Sequence, residues 1–152
     1  MNVSEVAAAA FGIGVCCGLR CLTPICVLAL MRVPVGGLFA TVLYWPMHAY
    51  VFVAAALAEL VRDKMPNCPS RLEPPGLIGR ILFGGFCGGA LAAAGGAAIW
   101  MGVVLGPAGA VAGAFAGNRF RGWAGARWKW PAALAEDLVA VGGSVLIASY
   151  FL

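Results

Sequence analysis

The stretch GVCCGLRCLTPICVLAL, residues 14–30, is apolar almost throughout, yet it carries Arg20 near its centre and a Thr23-Pro24 pair just beyond. A guanidinium stays charged at any pH a cell reaches. Either this segment is not a membrane span, or it is one in which a buried cation has a dedicated partner. The flanking sequence decides the environment. Apolar runs cover residues 6–31, 33–61, 81–116 and 131–152, and each is long enough to supply the roughly 20 residues a helix needs to cross a bilayer. Of 152 residues, 62% are hydrophobic and 11% charged, against about a quarter charged in an ordinary soluble domain. Length and composition together give one integral membrane domain over residues 1–152, all-α, as a polytopic transmembrane helix bundle.

The first run lacks the basic n-region of a secretory signal, since Glu5 is the one charged residue before Arg20, and it exceeds an h-region of about 7–15 residues. It reads as a retained span. Two cationic stretches punctuate the chain. The first, between residues 62 and 80, holds Arg62, Lys64, Arg71 and Arg80 among four prolines; the second, RFRGWAGARWKW at 119–130, sets Arg119, Arg121, Arg127 and Lys129 among tryptophans. By the positive-inside rule, loops 62–79 and 119–130 belong to the cytoplasm. The 38 residues from Ile81 to Asn118 that join them then form two crossings with a turn near Gly95-Gly96. The alternative is one span over 81–104 with a re-entrant piece after Gly106-Pro107. Counting outward gives about five spans, at 6–30, 38–61, 80–96, 98–118 and 131–151, with a cytoplasmic amino terminus and Arg32 outside. Pro46 should kink the second span and leave the Val42 carbonyl without its usual donor.

Glycine dominates the third and fourth spans, and Gly109, Gly113 and Gly117 recur every four residues. In lipid, burial of apolar surface does not draw helices together, so a ridge of small residues marks close backbone packing. That packing serves either one subunit or a homo-oligomer. A weak internal echo pairs GVCCGLR (14–20) with GAFAGNR (113–119), and ALAEL (56–60) with ALAED (133–137). Paired halves of this sort build many transporters.

The polar residues inside these runs are the candidate site. An Arg near a bilayer centre costs about 2.5–3.5 kcal/mol on insertion scales, so Arg20 must face a carboxylate, water or an anion. Pro24 removes a donor and crowds the Arg20 carbonyl, which should break the helix at Thr23-Pro24 and open a polar cavity there. Glu59, Asp63, Glu136 and Asp137 are the acids within reach of such a site. Together with Arg20, Thr23 and Pro24 they form a candidate solute- or ion-binding set; a buried structural ion pair is the competing reading. His48, the lone histidine, reads as a hydrogen-bonding helix residue rather than a relay.

No catalytic constellation assembles: there is no H-E-x-x-H, no phosphate-cradling G-x-x-x-x-G-K and no nucleophile with an evident base. The expectation is a protein that is not an enzyme and needs no cofactor. The cations lie in short loops, which points to anionic lipid headgroups and away from nucleic acid. Of the six cysteines, Cys16, Cys17, Cys21, Cys26 and Cys87 lie in apolar runs and read as small hydrophobes. Cys17 and Cys21, four apart, also offer two thiolates to a soft ion. CCGLRCLTP (16–24) resembles the first span of small mercuric-ion transport proteins, although no C-x-x-C follows to receive the metal.

Across nearly its whole length the chain resembles an uncharacterised family of small bacterial integral membrane proteins, a domain of unknown function. The resemblance rests on Gly18-Leu19-Arg20 with Thr23-Pro24, Ala58-Glu59-Leu60 with Asp63-Lys64 and Pro66, and Pro69-Ser70-Arg71 with Pro74-Pro75. It continues through Gly79-Arg80 and the glycine-rich hairpin to Glu136-Asp137. It implies a multi-pass protein of the bacterial inner membrane and no agreed activity. The cysteine cluster is not part of that pattern. Composition and charge placement make a transporter or channel-like protein the expected function, with a non-transporting, oligomerising scaffold as the alternative.

Overall fold

The computed structural model describes residues 1–62, 72–125 and 128–152. Seven helices account for most of them, and no strand occurs among the described residues: α1 (Val3–Leu19), α2 (Thr23–Met31), α3 (Gly37–Tyr44), α4 (His48–Arg62), α5 (Pro74–Ala94), α6 (Ile99–Ala124) and α7 (Lys129–Ser149). Three are long and apolar enough to cross a membrane: α5, α6 and the Trp130–Ser149 portion of α7. A fourth qualifies only if α3 and α4, bent by 69° at their junction, count as one span. The expected five continuous spans are therefore too many. The physical reason is proline. Residues 6–30 divide at Arg20–Leu22 ahead of Pro24, and residues 38–61 divide at Trp45–Met47 around Pro46.

The core of the bundle is a three-helix seam of α1, α5 and α6 in which backbone meets backbone. A Cβ built on Gly84 would lie 2.9 Å from the Gly106 carbonyl oxygen, and Gly88 and Gly102 face one another closely enough to exclude any side chain at either. On the other flank of α6, Gly109 abuts Phe11 and Gly113 abuts Val15, while Gly14 and Gly18 of α1 press on Gly106 and Ala110. These contacts orient the helices: α1 runs parallel to α6, and α5 antiparallel to it. The glycine ridge is thus used within one chain. The chain turns between α5 and α6 at Gly95–Ala98, with Gly96 at φ +69°, and α6 passes through Pro107 without interruption.

Gly95 lies against both Val6 and Phe151. The start of α1 and the end of α7 therefore share the end of the bundle that carries this turn. The ends of α4 and α6 and the starts of α5 and α7 lie at the other end, which carries Arg62, Arg119 and Arg121. Counting from five spans puts the amino terminus with the cationic stretches; the break at Arg20 changes the parity. Past that break the chain doubles back. Cys21 Sγ sits 3.5 Å from the Cβ position of Gly79, and Phe39 packs edge-on to Phe86 and against Gly89. Gly79 and Gly89 lie about 15 Å apart along α5 at 1.5 Å per residue. So α2 does not prolong α1; it re-enters, buried from Thr23 to Ala29, between α4 and α7.

The α3–α4 bend is satisfied locally. His48 Nδ1 lies 2.6 Å from the Val42 carbonyl oxygen, so the ring carries its proton on Nδ1 and supplies the donor that Pro46 cannot. Tyr44 donates its hydroxyl to the Val33 carbonyl, tying α3 to the segment that leads out of α2.

Candidate functional site

The break between α1 and α2 lays bare backbone groups that a continuous helix would pair internally, and side chains from two other helices, α4 and α5, answer them. α1 ends at Arg20, whose backbone is extended (φ −137°, ψ 114°). The guanidinium of Arg80, on α5, donates from Nε to the Gly18 carbonyl at 3.0 Å and from its Nη1 to the Gly76 carbonyl at 3.0 Å. On the far side of the break, the Glu59 carboxylate of α4 accepts from the Cys21 amide at 2.6 Å and from the Leu22 amide at 2.8 Å, one oxygen on each. A cation therefore stands at the carboxyl end of α1 and an anion at the amino end of α2, each favoured by the helix dipole it faces. Pro24, the second residue of α2, has no N–H at a position where none is needed.

Arg20 itself is 0% exposed. Its Nε donates to Asp137 Oδ1 of α7 at 2.6 Å, and its Nη2 approaches the same oxygen. The pair sits well inside the bundle. Asp137 lies eight residues into α7, and Gly18 meets α6 at Ala110–Gly113, well before that helix ends at Ala124. Thr23, 6% exposed, buries a hydroxyl that has no hydrogen-bond partner among the described residues. The Cys21 thiol is within electrostatic reach of both Glu59 and Arg80, which brings α4 and α5 to the same point.

Of the residues expected to form the site, Arg20, Thr23, Pro24, Glu59 and Asp137 converge at this junction. Glu136 does not join them. It points around α7 toward α6 and accepts from Arg121 Nε at 2.7 Å. Asp63 lies outside the described residues, as do the Lys64, Pro66 and Pro69-Ser70-Arg71 positions of the family resemblance. An open polar cavity centred on Arg20 was the expectation; the guanidinium is instead enclosed and ion-paired. A cavity of about 240 Å³ is present one helix face away, walled by Leu19, Gly117, Phe120, Ala135 and Glu136 among others. Apart from Glu136 its walls are apolar residues, and Arg20 is not among them. Of the two cysteines named as a soft-metal pair, Cys17 is fully buried in the core and Cys21 is part-exposed beside Glu59 and Arg80; no group of three or more metal-ligating side chains occurs among the described residues.

Sequence reasoning missed Arg80. Its position six residues into α5 made it read as a loop cation, yet its side chain is 7% exposed and closes the end of α1. The available signal was the broken helix itself, which leaves carbonyls in need of a donor. The internal echo also acquires a structural counterpart. Glu59 and Glu136 occupy matched positions in ALAEL and ALAED, and each returns to the residue two places beyond the arginine of its half: the Leu22 amide and the Arg121 side chain.

No family model, curated protein or solved structure matches this chain.

Proposed function

We propose that this protein is a small transporter or channel-like protein of the bacterial inner membrane, moving a small solute or ion past the Arg20 junction. In this reading α1, α5, α6 and α7 cross the bilayer and α2–α4 form a re-entrant unit. The observation that carries it is the fully buried Arg20 guanidinium, paired with the part-buried Asp137, beside two backbone amides clasped by Glu59, all at a helix break. Charged groups and broken helices are costly at membrane depth, and transport proteins concentrate both at their binding sites. A carboxylate that holds backbone amides can release them on protonation, so the junction has two states without any rearrangement of the glycine seam. At the cationic end, exposed Trp123, Trp128 and Trp130 with Arg119 suit an interface with anionic lipid headgroups.

The alternative is a non-transporting scaffold. One observation favours it: the Arg20 guanidinium is wholly buried and ion-paired to Asp137, as in a structural ion pair. Reconstitution in liposomes separates the two. A transporter dissipates an ion or solute gradient, and Arg20→Met combined with Asp137→Leu stops that flux while leaving a folded protein. A scaffold moves nothing in either form.

A further inference from the structure

The way Glu59 is held indicates a substrate class, and the following inference rests on the transport reading. Its two oxygens bridge the adjacent amides of Cys21 and Leu22 at 2.6 and 2.8 Å, in the manner of a bound ligand contributed by the chain itself. Adjacent amides at the start of a helix form an anion cradle, strengthened by the helix dipole. Next to the part-buried cradle, Thr23 buries a hydroxyl with no hydrogen-bond partner among the described residues, a donor with nothing yet to donate to where buried polar groups are normally satisfied. The charged groups that surround the cradle are Arg20 from α1, Arg80 from α5, Asp137 from α7 and Glu59 from α4; the Cys21 thiol adjoins it, and Arg62 lies exposed one turn along α4. Two cations and two carboxylates make the cluster neutral as it stands.

We infer that this cradle is a binding site for a small trigonal oxyanion, a monocarboxylate or nitrate, for which the Glu59 carboxylate is the built-in competitor. Protonation turns one Glu59 oxygen into a hydroxyl and ends the two-oxygen bridge, and in the anion-bound state the neutral side chain has rotated off both amides. The anion takes two N–H···O bonds in its place and a third hydrogen bond from the Thr23 hydroxyl, and the proton remains on Glu59. One negative charge leaves the cluster as the proton arrives and one enters with the anion, so the cluster stays neutral. A monoanion and a proton then move together, without net charge.

The test is a nitrate gradient imposed on liposomes that contain the full chain and a trapped pH-sensitive dye. Inward nitrate should acidify the lumen, at a rate unchanged when valinomycin and potassium clamp the membrane potential; chloride, which is spherical, should do so at least tenfold more slowly. Thr23→Val, nearly isosteric, should raise the half-saturating nitrate concentration about tenfold, the loss of one hydrogen bond to a charged group. Glu59→Gln should pass nitrate without acidification, and its flux should respond to the clamp. Proton or rubidium flux with no dependence on nitrate overturns the anion assignment and leaves the transport reading standing. No flux of any of these ions overturns both. If Glu59→Gln fails to fold, the wild-type nitrate response and Thr23→Val still decide the matter.

Discussion

Two regions of this bundle solve the same problem, how to hold helices together in lipid, by opposite means. Along most of its length the α1–α5–α6 seam is held by glycines that let backbones touch, at Gly84–Gly106, Gly88–Gly102 and Gly113–Val15. The junction of α1, α2, α4, α5 and α7 is built from charge, with Arg20 on Asp137, Glu59 on two amides and Arg80 on two carbonyls. Dense apolar packing has one good arrangement and resists change in volume. The charged junction is held by few, directional contacts instead. In the transport reading proposed above, the seam is the rigid part and the junction the part that switches.

The sharpest way to break that division is to crowd the seam. A side chain at Gly106 meets the Gly84 backbone on one flank of α6, and Gly14 already presses on the Gly106 carbonyl from the other. Gly106→Leu should therefore cost more than about 3 kcal/mol, at or beyond the upper end of overpacking, and abolish the folded peak in size-exclusion chromatography. Gly122→Leu, on the same helix with open space around it, should stay within about 0.5 kcal/mol of wild type.

The junction should respond to balance rather than to volume. Asp137→Ala strands a fully buried guanidinium and should cost about 3–5 kcal/mol in detergent unfolding. Arg20→Met with Asp137→Leu removes both charges and should recover most of that loss, since apolar replacements of a buried pair are often neutral or better. A double variant as unstable as Asp137→Ala alone would mean the pair holds the fold for reasons beyond its own charge. Glu59→Gln keeps one acceptor oxygen but turns the other into a donor facing an amide. About 1–3 kcal/mol should be lost, measured the same way. The smallest effect belongs to the α3–α4 bend. His48→Ala removes the donor to the Val42 carbonyl and should cost about 1 kcal/mol, and Pro46→Ala in the same chain should reduce that cost by restoring a backbone N–H.

Much of this was legible residue by residue. Pro24 and Pro46 forecast the two breaks, because a missing N–H is a local fact of covalent structure. Arg20 forecast a partner, because its charge is permanent. The identity of that partner was not legible. Glu136 and Asp137 are neighbours about 100° apart around α7, and only the rotation of α7 against α1 decides that Asp137 meets Arg20 while Glu136 meets Arg121. The direction of α2 was equally hidden. A proline says that a helix stops, not where the chain goes next, and a five-span count assumed that it went straight on. Arg80 was hidden for a related reason: a cation near a helix start reads as solvated until another helix is seen to end beside it.

Composition, helix breakers and glycine spacing are properties of the chain alone, and they determined a helical membrane protein with a charged discontinuity in its first apolar run. Which carboxylate pairs, which amides are clasped and which way the re-entrant helix runs depend on helices far apart in sequence docking at particular rotations. Glycine faces permit that docking by bringing backbones within contact distance, so the geometry of the charged junction was decided by packing that no local stretch of residues encodes.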